Sequence, residues 1–284
     1  MNIILLFEED FIAPDRVILN GRRVEHICKV HRARIDDTLS VGLLNSHMGT
    51  GTVVAMNSTT VELEVILDRE PPPPLPLTLV IALPRPKMLR RILQSVASLG
   101  VKEIYLINSW RVEKAFWKSP LLEPDRLQNE LILGLEQAKD TVMPQIHLKR
   151  LFKPFVTEEL SRLTAGELPS ISTRQHPDPA QKQKKTAQWQ GQPDPDHEPE
   201  AIPLKEHEAP HYPSKPLAIT AHPKGIISCP EHIDQSSILV MGPEGGFIEI
   251  EIETLEQAGF TTVTLGKRIL RVETAVPFII SKLY

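Results

Sequence analysis

Val61, Leu63, Val65 and Leu67 recur at every second position, with Glu62 and Glu64 between the first three, the period of a strand with one buried face. Shorter β-rich runs at Arg16 to Leu19, Leu39 to Leu43 and Gly51 to Met56 are separated by turn signals. With Thr60 to Leu67 they predict a small barrel or sandwich over residues 1–70. Pro71 to Pro74 ends the pattern, because four successive prolines offer no N–H to a sheet ladder and favour a stiff, extended spacer. A domain boundary is placed there.

Over 75–284 the pattern changes. Leu75 to Leu83 is apolar but for Thr78, a strand buried on both faces, and Glu103 to Ile107 is a second buried strand. Between them Met88, Leu89, Ile92, Leu93, Val96 and Leu99 form one stripe of a helix over Lys87 to Leu99, with Lys87, Arg90, Arg91 and Gln94 off the stripe and Gly100 as its stop. Strand, helix and strand of these lengths indicate a parallel βαβ unit and an α/β domain. Further elements are predicted as helices at Arg126 to Ala138 and Glu249 to Ala258, and as strands at Pro216 to Ala221, Ser237 to Met241 and Thr261 to Leu265. From Glu167 to Pro216 there are ten prolines and scarcely a large aliphatic residue. Such a composition cannot bury enough apolar surface to offset chain ordering, so this insertion is expected to be disordered, and His176, His197, His207 and His211 within it to be solvated rather than metal ligands.

Composition narrows the class. With 284 residues, 41% of them hydrophobic and 24% charged, the chain has material for two domains of a soluble protein. No apolar stretch approaches the roughly 20 residues of a membrane helix, and Ile3-Ile4-Leu5-Leu6-Phe7 is short and followed by Glu8, Glu9 and Asp10, the wrong flank for a signal peptide. The reading is cytoplasmic, with no membrane partner. Cys28 and Cys229 stand alone, so neither a disulfide framework nor a metal site is supported. The formal net charge of -4 hides a basic window, since Arg85 to Lys118 carries eight Lys and Arg against only Glu103 and Glu113.

Two glycine-containing stretches carry the candidate chemistry. "MGPEGGF", Met241 to Phe247, lies between an apolar strand and an acidic helix. Its spacing fits neither GxxxxGK[ST] nor GxGxxG, Pro243 lacks an N–H, and Glu244 adds negative charge, so a polyphosphate would be repelled. The turn either merely joins strand to helix or cradles a neutral or cationic ligand with adenine and ribose, of which S-adenosylmethionine is one. "LGKRILRVETA", Leu265 to Ala275, again follows a strand end. In it Thr274 reads as a helix N-cap and Glu273 as a carboxylate at the helix's positive end. Arg271, between Ile269-Leu270 and Val272, reads either as surface charge or as a functional group in an apolar setting.

Together these stretches resemble the signature of the SPOUT-superfamily methyltransferases that modify N3 of a uridine in small-subunit ribosomal RNA. "SLGVKEIYLI" is similar to that family's LGV strand entry, and "AHPKG", Ala221 to Gly225, to its strand ending in His-Pro. The resemblance covers nearly the whole chain outside the insertion. It implies a C-terminal α/β domain with a trefoil knot, a PUA-like N-terminal β-barrel for RNA, S-adenosyl-L-methionine as cofactor, and a homodimer with the active site near the subunit boundary. Carried over by position, Ala221 and His222, then Met241, Gly242, Pro243, Glu244, Gly245 and Gly246, and finally Leu265, Gly266, Ile269 and Leu270 would hold the cofactor. Arg271, Glu273 and Thr274 would face the target base.

The resemblance further implies methyl transfer to N3 of a uridine in 16S ribosomal RNA, free or in the assembled small subunit. A SPOUT enzyme for another RNA position, such as a ribose 2′-hydroxyl, and a non-catalytic RNA-binding or ribosome-assembly relative are the alternatives. Candidate RNA contacts are Arg22, Arg23, Lys29, Arg32 and Arg34 in the first domain, and Arg90, Arg91 and Lys114 in the second. The chain departs from the family in "EQAKDTVMPQI", where Glu136 and Gln137 persist but Asp140 and Val142 stand in the places of two arginines.

Overall fold

The computed structural model describes residues 2–165 and 215–284. Nearly all of the insertion, with its four histidines, lies outside the described residues. The first domain is a six-stranded sheet of β1 (Ile4–Leu6), β2 (Phe11–Ala13), β3 (Arg16–Asn20), β4 (Thr38–Leu43), β5 (Met48–Met56) and β6 (Thr60–Arg69), in the order β1-β4-β5-β6-β3-β2. Only the β1/β4 pair is parallel. Val61, Leu63 and Val65 face its core as their period requires, with Val17, Leu19, Val41 and Val53 opposite. A short helix, α1 (Arg22–His26), runs into a π-turn at Ile27–His31.

The second domain begins with β7 (Leu77–Ala82), α2 (Pro86–Ser98), β8 (Glu103–Ile107), α3 (Pro124–Ala138) and β9 (Gln145–Lys149). α4 (Phe152–Pro154), a π-turn at Phe155–Leu160 and α5 (Ser161–Thr164) follow. After the insertion come β10 (Leu217–Ala221), β11 (Ile227–Ser228), β12 (Ser237–Met241), α6 (Glu249–Gln257), β13 (Thr261–Thr264) and α7 (Val272–Leu283). The strands form one sheet, ordered β11-β13-β10-β12-β7-β8-β9, in which every neighbouring pair is parallel. The α/β class is as expected from the sequence. α2 starts one residue before the sequence-based boundary because Pro86 occupies its first turn, where the missing N–H costs nothing. Gly134 of α3 lies so close to α2 that a Cβ there would come within 2.4 Å of the Gln94 carbonyl oxygen, so only glycine lets the two helices approach this closely.

The two domains are joined through β1, which the sequence pattern does not announce. Ile4 and Leu6 pack into the first domain's core, while Leu5 packs on Ile132 and Leu135 of α3. A strand apolar on both faces shows no two-residue period. The end of α3 completes the joint: the Asn2 and Ile3 N–H groups donate to the Glu136 carbonyl at 2.8 and 3.1 Å, and Asn45 N–H donates to the Thr141 carbonyl at 2.8 Å.

This joint changes the reading of two arginines. Arg23 is 9% exposed, and its guanidinium donates to both carboxylate oxygens of Asp10, at 2.5 and 2.6 Å, and to the Leu5 carbonyl at 3.0 Å. It is a structural cation rather than an RNA contact. Arg22 spans the domains in a two-pronged bond to the buried Glu136, at 2.8 and 2.9 Å, so its charge is neutralised within the fold. Asp140 is likewise explained: it is 2% exposed, accepts from Lys102 Nζ at 2.6 Å and from the Val142 N–H at 2.9 Å, and is buried beside Thr141, which contacts the first domain.

Candidate cofactor cleft

In a parallel sheet, ligands settle beyond the carboxyl ends of the strands. Three of those ends converge here, after β10, β12 and β13, and their loops line a partly open cleft with a cavity volume of about 90 Å³. The first loop contributes Ala221 and His222, and the second Met241, Gly242, Pro243, Glu244 and Gly246. Leu265, Gly266, Ile269 and Leu270 come from the third. Two motifs some twenty residues apart in sequence thus form facing walls because β10 lies between β12 and β13. Gly245 is absent from the lining: its carbonyl accepts a hydrogen bond from the Arg111 guanidinium, and a Cβ there would meet Arg111 Cδ at 3.0 Å. Pro223, Thr264, Arg268, Val272 and Ala275 also line the cleft but were not singled out as cofactor contacts.

The shape of the second loop depends on particular residues. Gly246 has φ +71, a left-handed conformation that side chains rarely adopt, and a Cβ there would lie 3.3 Å from the His222 Nε2 atom. Glu244 has a mechanical role that its charge alone does not reveal: its Oε1 accepts the Arg85 N–H at 3.0 Å, tying the loop to the entry of α2. Behind the loop, the buried carboxylate of Glu251 accepts the Trp110 N–H at 2.7 Å and the Ile248 N–H at 3.0 Å, fixing the start of α6 against the segment after β8.

The electrostatics disfavour an anion cradle. His222 Nδ1 accepts the Lys224 N–H at 3.2 Å, and partial burial lowers the ring's pKa below 6.5. The Phe247 backbone opposes that shift, while the charges of Lys224 and Arg111 reinforce it. The ring is therefore neutral at pH 7. Arg268 is the one guanidinium in the lining. Among the described residues the Leu265 and Leu270 N–H groups, like those of Arg268 and Ile269, have no protein acceptor, so the third loop offers backbone donors for a ligand's polar edge.

Arg271, Glu273 and Thr274 flank this cleft without lining it; Val272 and Ala275, interleaved with them, do line it. Thr274 is not the N-cap. α7 begins at Val272 with Arg271 in the cap position, extended at φ -68 and ψ 151, and the Arg271 carbonyl accepts the Thr274 and Ala275 N–H groups at 2.9 and 2.8 Å. Thr274 is therefore within the first turn and exposed, and Glu273 is half-buried beside it. The Arg271 side chain is exposed and makes no hydrogen bond or ion pair among the described residues.

The remaining candidate RNA contacts are spread over both domains. Lys29, Arg32 and Arg34 are exposed on the first domain, with Lys29 at 3.9 Å from Glu25. Arg91 and Lys114 are exposed, while Arg90 lies 3.5 Å from Glu130.

Fold and cleft define an α/β protein with a cleft at the carboxyl end of a parallel sheet, preceded by a second, largely antiparallel sheet. The RNA methyltransferase domain family matches residues 71–191 and 203–284, and the chain belongs to that family. It is 32% identical over 161 residues to Ribosomal RNA small subunit methyltransferase E of Treponema pallidum (strain Nichols), a match spanning 56% of this chain and 60% of that relative. It is 22% identical over 275 residues to Ribosomal RNA small subunit methyltransferase E 1 of Borreliella burgdorferi, spanning 97% and 94%. Among solved structures, Ribosomal RNA small subunit methyltransferase E of Neisseria gonorrhoeae bound to S-adenosyl methionine superposes with a TM-score of 0.62, at 21% identity over 99% of this chain and 95% of that one.

Proposed function

We propose that this chain transfers a methyl group from S-adenosyl-L-methionine to N3 of a uridine in 16S ribosomal RNA. The observation that carries the reading is the convergence of the MGPEGG and LGKRIL loops on one cleft that has backbone donors but no polyphosphate clamp. The residues fit the cofactor. Leu265 and Leu270 N–H groups suit an adenine edge, a neutral His222 leaves a sulfonium unrepelled, and Arg268 suits the carboxylate at the amino-acid end. The bound cofactor supplies a methyl group already activated by its positive sulfur.

The chain's own residues then have to prepare the uracil. N3 is a poor nucleophile until its proton leaves, and negative charge then spreads over O2 and O4. In this reading the Arg271 guanidinium meets that developing charge. Glu273, or a water, accepts the proton, and Thr274 borders the base. The N3 edge is the one used for pairing, so the target base must leave any helix to reach it.

The finer architecture belongs to the same reading: a PUA-like barrel in the first domain, a trefoil knot where the segment after β13 returns to α7, a homodimer with the cleft near the subunit boundary, and a cytoplasmic site of action on free RNA or the assembled subunit. Lys29, Arg32, Arg34, Arg90, Arg91 and Lys114 are the phosphate contacts it retains.

Tritium transfer from labelled S-adenosylmethionine to small subunits lacking their uridine methylation, followed by digestion to nucleosides, is expected to yield 3-methyluridine. A labelled 2′-O-methylated nucleoside would move the reaction to the ribose, and no transfer despite tight binding of both ligands would indicate a non-catalytic relative.

Cofactor affinity is also expected to depend on pH in one direction. Because the folded His222 pKa lies below 6.5, the ring stays neutral as pH falls to that value and gains charge only below it. Affinity for the sulfonium should hold between about pH 8 and 6.5 and fall below, and folding stability should decline in the same acid window because the unfolded chain binds the proton first. Calorimetric titrations of the wild type and His222→Asn check this; identical acid profiles for the two would remove His222 as the cause.

A further inference from the structure

Two tryptophans stand on the segment between β8 and α3, and the fold uses only one. Trp117 is half-buried, donates from Nε1 to Asn108 Oδ1 at 2.9 Å, and lies under the Arg150 guanidinium at 5.3 Å. Trp110 is 80% exposed, and its indole has no ring contact or hydrogen bond among the described residues. Its backbone, in contrast, is held firmly. The N–H of Trp110 is bound by the buried Glu251, the preceding Ser109 is buried, and the following Arg111 donates to the Gly245 carbonyl in the turn beside the cleft. A large apolar ring is thus presented to solvent on a braced support at the cleft's rim.

We infer that Trp110 is a stacking platform for an unpaired base of the RNA substrate, next to the nucleotide whose base enters the cleft. This rests on the RNA-methylating reading above. Charge around the ring favours a nucleic acid over an apolar partner: Arg111, Lys114 and Lys118 on the same segment are exposed, and none is in an ion pair among the described residues. An exposed aromatic ring on a segment that also carries unpaired cations is the combination that binds single-stranded RNA, with the ring taking a base face and the cations the phosphates. A rigid indole also loses little conformational freedom when a base covers it, because its backbone is already fixed.

The test measures binding directly, with unmodified protein-free 16S ribosomal RNA as probe and the full chain as the protein. Trp110→Ala is expected to weaken binding by about tenfold or more, the usual loss when an aromatic platform is removed from a base. Trp110→Phe should stay within about threefold of the wild type. The slope of log affinity against log salt should be the same for all three, because stacking releases no counterions, whereas loss of a phosphate contact lowers it. Cofactor affinity and melting temperature should be unchanged. Equal RNA affinity for Trp110→Ala and wild type would overturn the inference. A shift of Trp110→Ala from dimer to monomer in sedimentation would do so too, by making the indole a contact between copies. The inference and the catalytic reading fail separately: Trp110-dependent RNA binding without methyl transfer retains the platform and removes the reaction, and transfer with an unaltered KM in Trp110→Ala does the reverse.

Discussion

Arg271→Ala is expected to lower kcat/KM for methyl transfer at least a hundredfold while leaving the dissociation constant for S-adenosylmethionine within about threefold. The magnitude follows from the role. A group that meets charge only as it develops contributes about 10²–10³ in rate, and its removal lowers kcat rather than weakening ground-state binding. The geometry separates the two effects, because Arg271 lies outside the cleft lining while its neighbours Leu270 and Val272 lie within it. Arg271→Lys keeps a charge but not the planar fork that can meet two oxygens, so an intermediate rate is expected. Single-turnover rates with labelled cofactor, alongside calorimetric cofactor titrations, make the comparison. A loss below about tenfold, or a matching loss of cofactor affinity, would remove Arg271 from the role assigned to it.

Lys102→Ala is expected to cause the largest loss of stability, about 3–5 kcal/mol, because it strands the Asp140 carboxylate at the domain joint with its cation removed. Lys102 also donates to the Val142 carbonyl at 2.7 Å, so a second acceptor loses its partner. Burial pushes the Lys102 pKa down, and the neighbouring Asp140 carboxylate opposes that shift. For a chain of this size the loss corresponds to a fall in Tm on the order of 10 °C. Replacing both partners by apolar residues of similar volume, Lys102→Met with Asp140→Leu, should restore most of it, since the desolvation of both charges disappears together. Differential scanning calorimetry of the single and double variants decides the matter, and a Tm within about 2 °C of wild type for Lys102→Ala would show that the pair contributes little.

The cleft was more legible in the sequence than the joint between the domains, for a physical reason. Cofactor loops need glycines and short polar turns at strand ends, and these are local signals; eleven of the twelve residues assigned to the cofactor line the cleft. The exception, Gly245, points its carbonyl at Arg111, a residue more than a hundred positions away that no local pattern connects to it. The joint is built from such distant pairs. Arg22 and Arg23 resemble an exposed basic patch until Glu136 and Asp10 are brought to them by the fold. Asp140 marks a departure in the sequence, and only the approach of Lys102 gives that departure a structural purpose. Among the elements missed were β1, without alternation because both faces are covered, β9, a half-exposed edge strand, and short pieces such as β2, α1 and β11. Thr274 was misplaced by three residues because an arginine, a residue type with no side-chain acceptor, occupies the cap.

The proline run from Pro71 to Pro74 divides the chain in topology, yet β1 denies it the status of a line along which the molecule can be cut. Residues 75–284 prepared alone would leave Ile132 and Leu135 of α3 facing water and Glu136 without its arginine. The first domain alone would present Leu5 in the same way. A three-residue strand thereby couples the two sheets through α3, and each half prepared alone is expected to melt below the intact chain.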